Sequence, residues 1–202
     1  MTATTDEPKK PPAKPDKGRA RRPAPAREDW LDAGLEMIAE TGADGLVAES
    51  LMRRVGGTKS TFAREFGDRT GFLDALIEYW ELSQVDVLLD LHARDTAPGD
   101  KLREIFYALL PELEPGGPEL AIRSWARRHL MAQTSVNAID ARRTVYLEDV
   151  FREIGCDDAE AALRASFYLG LIFTEGMIDR GEDTEDREAR IALSLETVAA
   201  GV

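Results

Sequence analysis

The residue types that most often carry chemistry are thinly spread in this sequence. Cys156 is the one cysteine, so neither an intrachain disulfide nor a multi-cysteine metal site can form. His92 and His129 lie far apart and lack metal-ligand spacing. No nucleophile stands beside a base, and no glycine-rich phosphate loop leads into Lys-Ser or Lys-Thr. The reading is therefore not an enzyme, with no metal and no cofactor. Hydroxyls and positive charge do cluster. Thr58, Lys59, Ser60, Thr61 and Arg64 fall within one short stretch, and Arg69 follows. From Arg53 to Arg69, five basic residues stand against two acidic ones, a local +3 in a chain of net charge −12. Such a group at the start of a helix suits phosphate, because the free N–H groups and the dipole there attract anions.

The rest of the charge is distributed unevenly. Residues 1–27 carry eight basic and three acidic side chains, so the remainder holds −17. An acidic body repels polyanions, and any DNA contact must come from a local patch. Prolines at 8, 11, 12, 15, 23 and 25 precede a long gap up to Pro98, which sets 1–26 apart as a basic, proline-rich tail expected to be disordered. Such a tail either solubilises the chain or reaches DNA as an arm. There is no secretory signal and no apolar run of about 18 residues, so a cytoplasmic location without membrane contact is expected.

Positioning these residues falls to helices, since apolar residues recur at i, i+3, i+4 and alternating β-branched runs are absent. The spacing predicts helices over 28–41, 48–55, 58–65 and 68–91. Further ones follow at 100–112, 118–133, 136–155, 158–180 and 184–199, giving an all-α fold of eight to nine helices. Trp30, Leu31, Leu35 and Ile38 mark the buried stripe of the first. Gly56-Gly57 breaks the second, Thr58 is a suitable N-cap for the third, and Phe62 and Phe66 are its apolar anchors. Three short helices with a glycine turn before the third make a helix-turn-helix unit over 27–80. The larger helical domain is expected over 81–202.

The stretches Trp30-Leu-Asp-Ala-Gly-Leu-Glu-Met-Ile-Ala-Glu-Thr-Gly42, Val55-Gly-Gly-Thr-Lys-Ser-Thr-Phe-Ala-Arg-Glu-Phe66 and Asp68-Arg-Thr-Gly-Phe-Leu73 resemble the N-terminal domain of the TetR (tetracycline repressor-like) family. A weaker resemblance, to the C-terminal domain of one branch, runs through Ala121-Ile-Arg-Ser-Trp-Ala-Arg-Arg128 and Tyr146–Gly155. The resemblance implies a homodimeric transcription regulator, usually a repressor, released from a palindromic double-stranded DNA operator by a small-molecule effector. By position, Thr58 matches the cap of the recognition helix and Lys59, Ser60 and Thr61 its DNA-facing turn. Arg64 falls at a backbone-contact position, and Arg69 matches the lysine that opens the fourth helix. Three positions depart from the family pattern. Ala63 replaces a tyrosine that supports a phosphate contact, Gly57 a turn valine that fills core, and Val47 a threonine that caps the second helix. The alternative left open is an all-α homodimeric interaction module that kept the fold but binds DNA weakly or not at all.

In the C-terminal half, Leu163, Phe167, Leu171 and Met177 lie along one helix, and Ile191, Leu193, Leu195 and Val198 along the next. These either fill the protomer's own core or pair with a second copy as a four-helix bundle, the homodimer arrangement expected here. Phe106, Trp125, His129, Tyr146, Phe167 and Tyr168 are the candidate ligand-binding residues. Each has core packing as its alternative role.

Overall fold

The computed structural model describes residues 24–178 and 180–199. Among them are nine α-helices and one 3-10 turn, without strands. In order these are α1 (Arg27–Thr41), the 3-10 turn Ala43–Gly45, α2 (Ala48–Val55), α3 (Lys59–Phe66), α4 (Arg69–Ala93), α5 (Pro98–Leu113), α6 (Glu119–Ala126), α7 (Leu130–Ile154), α8 (Asp158–Met177) and α9 (Thr184–Ala199). Apart from residues 24–26, the tail expected over 1–26 lies outside the described residues.

The boundaries follow local chemistry. Asp68 and Asp157 accept the amides of Gly71 and Glu160 and so cap α4 and α8. Gly56 closes α2 in the left-handed region (φ 71, ψ 24), where a side chain would be strained. One boundary differs from the sequence reading, which placed the break near residues 134–135. It falls instead at Arg127–His129. The His129 ring stacks on Trp125 with centroids 4.7 Å apart and accepts the amide of Ala132 at 3.5 Å, capping α7. Thr134 then donates back to the Leu130 carbonyl, and the helix runs on through Ser135.

Two apolar clusters form the interior. The first joins Trp30, Ile38, Leu51, Phe62, Phe66, Phe72 and Trp80 of α1–α4 to Ile122 and Trp125 of α6 and to Ile139 of α7. The second is built from the far half of α4 with α5, α7, α8 and α9, including Leu91, Phe106, Leu147, Tyr168, Ile172 and Ile191. Helix α4 thus runs from one cluster into the other, and α6 leans on the N-terminal helices. The core volume that Gly57 was expected to give up is not empty, because the Trp30 indole occupies it.

Candidate nucleic-acid interface

Helix α3 is held from behind by aromatic rings. Phe62 lies 5.6 Å from both Trp30 and Phe72, and Phe66 lies 4.9 Å from Phe72, edge to face. Each such pair adds about 0.5–1.5 kcal/mol beyond the area it buries. Arg27 closes the far end of the helix, donating to the Glu65 carbonyl at 2.6 Å with its guanidinium over the Phe66 ring.

At the N-terminus of α3 the backbone and hydroxyls close a reciprocal capping box. Thr58 Oγ1 accepts the Thr61 amide at 3.2 Å, and Thr61 Oγ1 accepts the Thr58 amide at 2.9 Å. Thr61 also donates to the Thr58 carbonyl, so its hydroxyl stabilises the turn. Thr58, Lys59, Ser60, Ala63 and Arg64 are exposed around this box, whereas Thr61 is half-buried.

The five basic side chains of the patch are not equivalent. Arg54 pairs with Glu40 at 2.6 Å and Glu36 at 3.3 Å, which raises its own pKa and lowers that of Glu40. Arg64 pairs with Glu65 at 2.7 Å. Arg69 donates to the backbone carbonyls of Ala43 (2.8 Å) and Leu46 (3.4 Å), tying the start of α4 to the connection before α2. Arg53 and Lys59 have no hydrogen bond or ion pair among the described residues, and both are exposed. They are the charges available without breaking another contact. Val47 precedes α2 without a side-chain cap and is 48% exposed.

Sequence reasoning missed a polar cluster between the two apolar clusters. Arg143 and Glu119 are both buried; Arg143 Nη1 and Nη2 donate to the two carboxylate oxygens at 2.6 and 2.9 Å, and Nη2 also donates to Gln84 Oε1 at 2.6 Å. Arg123 bridges Glu119 to Asp140 and rests over the Phe173 ring. Burial alone would push the Glu119 carboxyl up, but hydrogen bonding and charge from Arg143 and Arg123 outweigh it and hold the group below its ordinary value. The cluster joins α4, α6, α7 and α8. Part of it gave a sequence signal: Gln84 and Arg143 each interrupt an otherwise apolar helical stripe, whereas Glu119 opens α6 and gave none.

The six candidate ligand residues are not brought to one cavity. Phe106 and Tyr168 are packed in the second core, where the Tyr168 hydroxyl donates to the Leu102 carbonyl. Phe167 is 62% exposed on α8. Trp125 and His129 border a hollow against the Ala43–Gly45 turn and the start of α4. Tyr146 lines a separate groove between α4 and α7.

The apolar residues of the two C-terminal helices differ in burial. Ile191 and Leu195 are buried in the protomer, whereas Leu163, Phe167, Met177 and Leu193 are more than half exposed. Helix α9 is pinned to α8 by buried Glu175, which accepts from Arg190 Nη2 at 2.8 Å and from Arg180 at 3.2 Å. Burial opposes ionisation of this carboxyl, but the arginines prevail and its pKa is lowered.

No protein-family model matches this sequence, and no curated protein matches it either. Solved structures match over most of its length. A TetR transcriptional regulator from Legionella pneumophila superposes with a TM-score of 0.64 at 15% identity, covering 87% of this chain and 94% of its own. For Salmonella enterica GusR the values are 0.65 and 17%, with 90% and 97% covered. AibR, solved in complex with isovaleryl coenzyme A and operator DNA, gives 0.63 and 15%, with 85% and 96% covered. At these identities the likeness is one of fold. The chain has the all-α fold of TetR-family regulators, with an N-terminal helix-turn-helix unit followed by a larger helical body.

Proposed function

We propose that this chain is a homodimeric, DNA-binding transcription regulator of the TetR type, acting as a repressor that a small molecule releases from a palindromic operator. The observation that carries this reading is α3 itself. A reciprocally capped, eight-residue helix stands on an aromatic base and exposes Lys59 and Ser60 in its first turn and Arg64 in its last. Among the described residues Lys59 has no hydrogen bond or ion pair and Arg64 pairs only with its neighbour Glu65, and the chemistry of this surface suits phosphate and base-edge contact. Thr58 and Thr61 set the turn, and Arg69 fixes the start of α4 relative to α2. Arg53 and Lys59 supply the unpaired charge.

Supporting context comes from AibR, a structural neighbour whose complex holds operator DNA and isovaleryl coenzyme A. Helix-turn-helix readers commonly act in pairs spaced by one turn of DNA. The exposed apolar residues of α8 and α9 supply a face on which two copies of this chain pair. The functional boundary is placed near residue 80, with reading head before it and effector and dimer region after it. Among the described residues no helix is long and apolar enough to cross a membrane, in keeping with a cytoplasmic site of action.

Sequencing the genomic fragments retained by the purified full chain tests the proposal. Enrichment of a few palindromic sites is expected, with loss of enrichment for the double variant Lys59→Ala, Arg64→Ala. Uniform recovery of all fragments, or none, would count against it.

A further inference from the structure

The chain enters the helix-turn-helix unit at a fixed place. The Arg27 guanidinium donates to the Glu65 carbonyl in the last turn of α3 and lies over the Phe66 ring, 4.6 Å from its centroid. One residue earlier, the Ala26 amide donates to the Asp29 carboxylate at 2.7 Å. Ala24 and Pro25 line one hollow with Val55 and Gly56, at the turn that leads into α3. The segment before Ala24 is therefore attached to the body beside α3. The helix-turn-helix unit itself is short of positive charge. Residues 28–80 hold five basic side chains against eleven acidic ones. Of those five, Arg54, Arg64 and Arg69 are engaged with Glu40, Glu65 and the Ala43 carbonyl, which leaves Arg53 and Lys59. Two copies of the unit bring four such cations, short of the roughly six to ten phosphate contacts of a strongly salt-dependent DNA binder.

The missing charge stands immediately before the anchor. Residues 17–26 read Lys17-Gly-Arg-Ala-Arg-Arg-Pro-Ala-Pro-Ala26, four cations among small residues and prolines, with no acidic side chain. We propose that this segment is a DNA-binding arm, anchored by Arg27, that places Arg19, Arg21 and Arg22 in the minor groove beside the half-site read by α3. The proposal rests on the function proposed above and adds a second contact surface to it. The minor groove is about 6 Å wide and negative in potential, most so over narrow A·T runs, so it admits arginines separated by small residues. Arg19 stands eight residues before Arg27, a length of chain that spans at most about 28 Å. Half a turn of DNA, which separates a major groove from the next minor groove, is about 17 Å. The other anionic partner at hand is the acidic face of α1, which shares the hollow with Ala24 and Pro25. Its carboxylates already have donors: Asp29 accepts from the Ala26 amide, Asp32 from the Tyr79 hydroxyl and Glu36 from Arg54. DNA phosphates have no such partner within the chain.

Hydroxyl-radical footprinting and salt-dependent affinity test the arm, with the full chain and an operator fragment recovered from the genomic selection. The parent should protect the minor groove next to each half-site. The triple variant Arg19→Gln, Arg21→Gln, Arg22→Gln should lose that protection and bind about tenfold or more weaker. It should also flatten the plot of log affinity against log salt by up to three contacts per head, each about 0.9. Absence of the minor-groove protection in the parent overturns the assignment, whatever the variant does. A variant with the parent's affinity and slope also overturns it, and the proposed function then stands without the arm. A variant that binds DNA more tightly than the parent overturns it as well, because the segment would then be held by the acidic body in competition with DNA. If the parent retains no specific fragment, the arm and the function proposed above fall together.

Discussion

The indole of Trp30 occupies the place that a side chain at position 57 would need. A Cβ built on Gly57 would come within 2.2 Å of two Trp30 ring carbons, and Trp30 is fully buried. The two residues are a matched pair, one large and one without a side chain. Together they fill the space behind the turn that presents α3.

Their matching predicts a double-mutant result. Gly57→Val should destabilise the chain by about 1–3 kcal/mol through overpacking, and Trp30→Leu by a comparable amount through the cavity it leaves. The double variant should recover part of the loss, with a coupling of about 0.5–3 kcal/mol in denaturant unfolding. Strict additivity would show that the two sites do not share this volume.

The uncapped start of α2 predicts a gain. Val47 has the extended backbone of an N-cap but offers no side-chain acceptor. Val47→Thr should raise stability by about 1 kcal/mol, read as a shift in the denaturation midpoint at unchanged slope. It should also tighten DNA binding by adding a hydroxyl near phosphate. A variant no more stable than the parent would mean that the α2 amides are already satisfied.

Glu119 predicts both a mutational cost and an acid limb. Removing its charge with Glu119→Gln leaves buried Arg143 with only the longer pairing to Asp140 at 3.8 Å, at a cost of about 3 kcal/mol at neutral pH. Because the folded-state pKa is lowered, the contribution is present above the unfolded value of about 4.3 and is lost as pH falls through the folded value. Stability measured from pH 7 downward should therefore fall less steeply in the variant than in the parent once below about pH 5. Parallel acid limbs would contradict this assignment.

The exposed face of α8 predicts a change of assembly. Phe167→Glu places charge on a side chain that is 62% exposed in the protomer. The fold should be retained, and a dimer in light scattering should become a monomer. A dimer that survives the substitution would move the pairing surface elsewhere.

Much of the fold was legible because amphipathic spacing and capping residues agree along the chain. Phe62, Phe66 and Thr58 could be placed in the sequence because each role restricts residue type. The break between α6 and α7 was not legible. It depends on a histidine cap and a stacked tryptophan, whereas the sequence there carries no glycine or proline. The roles of Arg54 and Arg69 were hidden for a different reason. Sequence gives their charge, but their partners, Glu40 and the Ala43 carbonyl, are set by how α1, α2 and α4 meet. The proposed ligand residues fell mostly on packed aromatics because composition cannot separate a filled core from a groove.

The proposed regulator must grip DNA through α3 and its flanks, and the salt dependence of affinity tests that directly. Each lost phosphate contact should make the plot of log affinity against log salt shallower by about 0.9. For an operator fragment recovered from the genomic selection, Lys59→Ala and Arg53→Ala are each expected to weaken binding and flatten that slope by about one contact per head. Affinities and slopes identical to the parent in both variants would contradict the assignment of this surface to DNA.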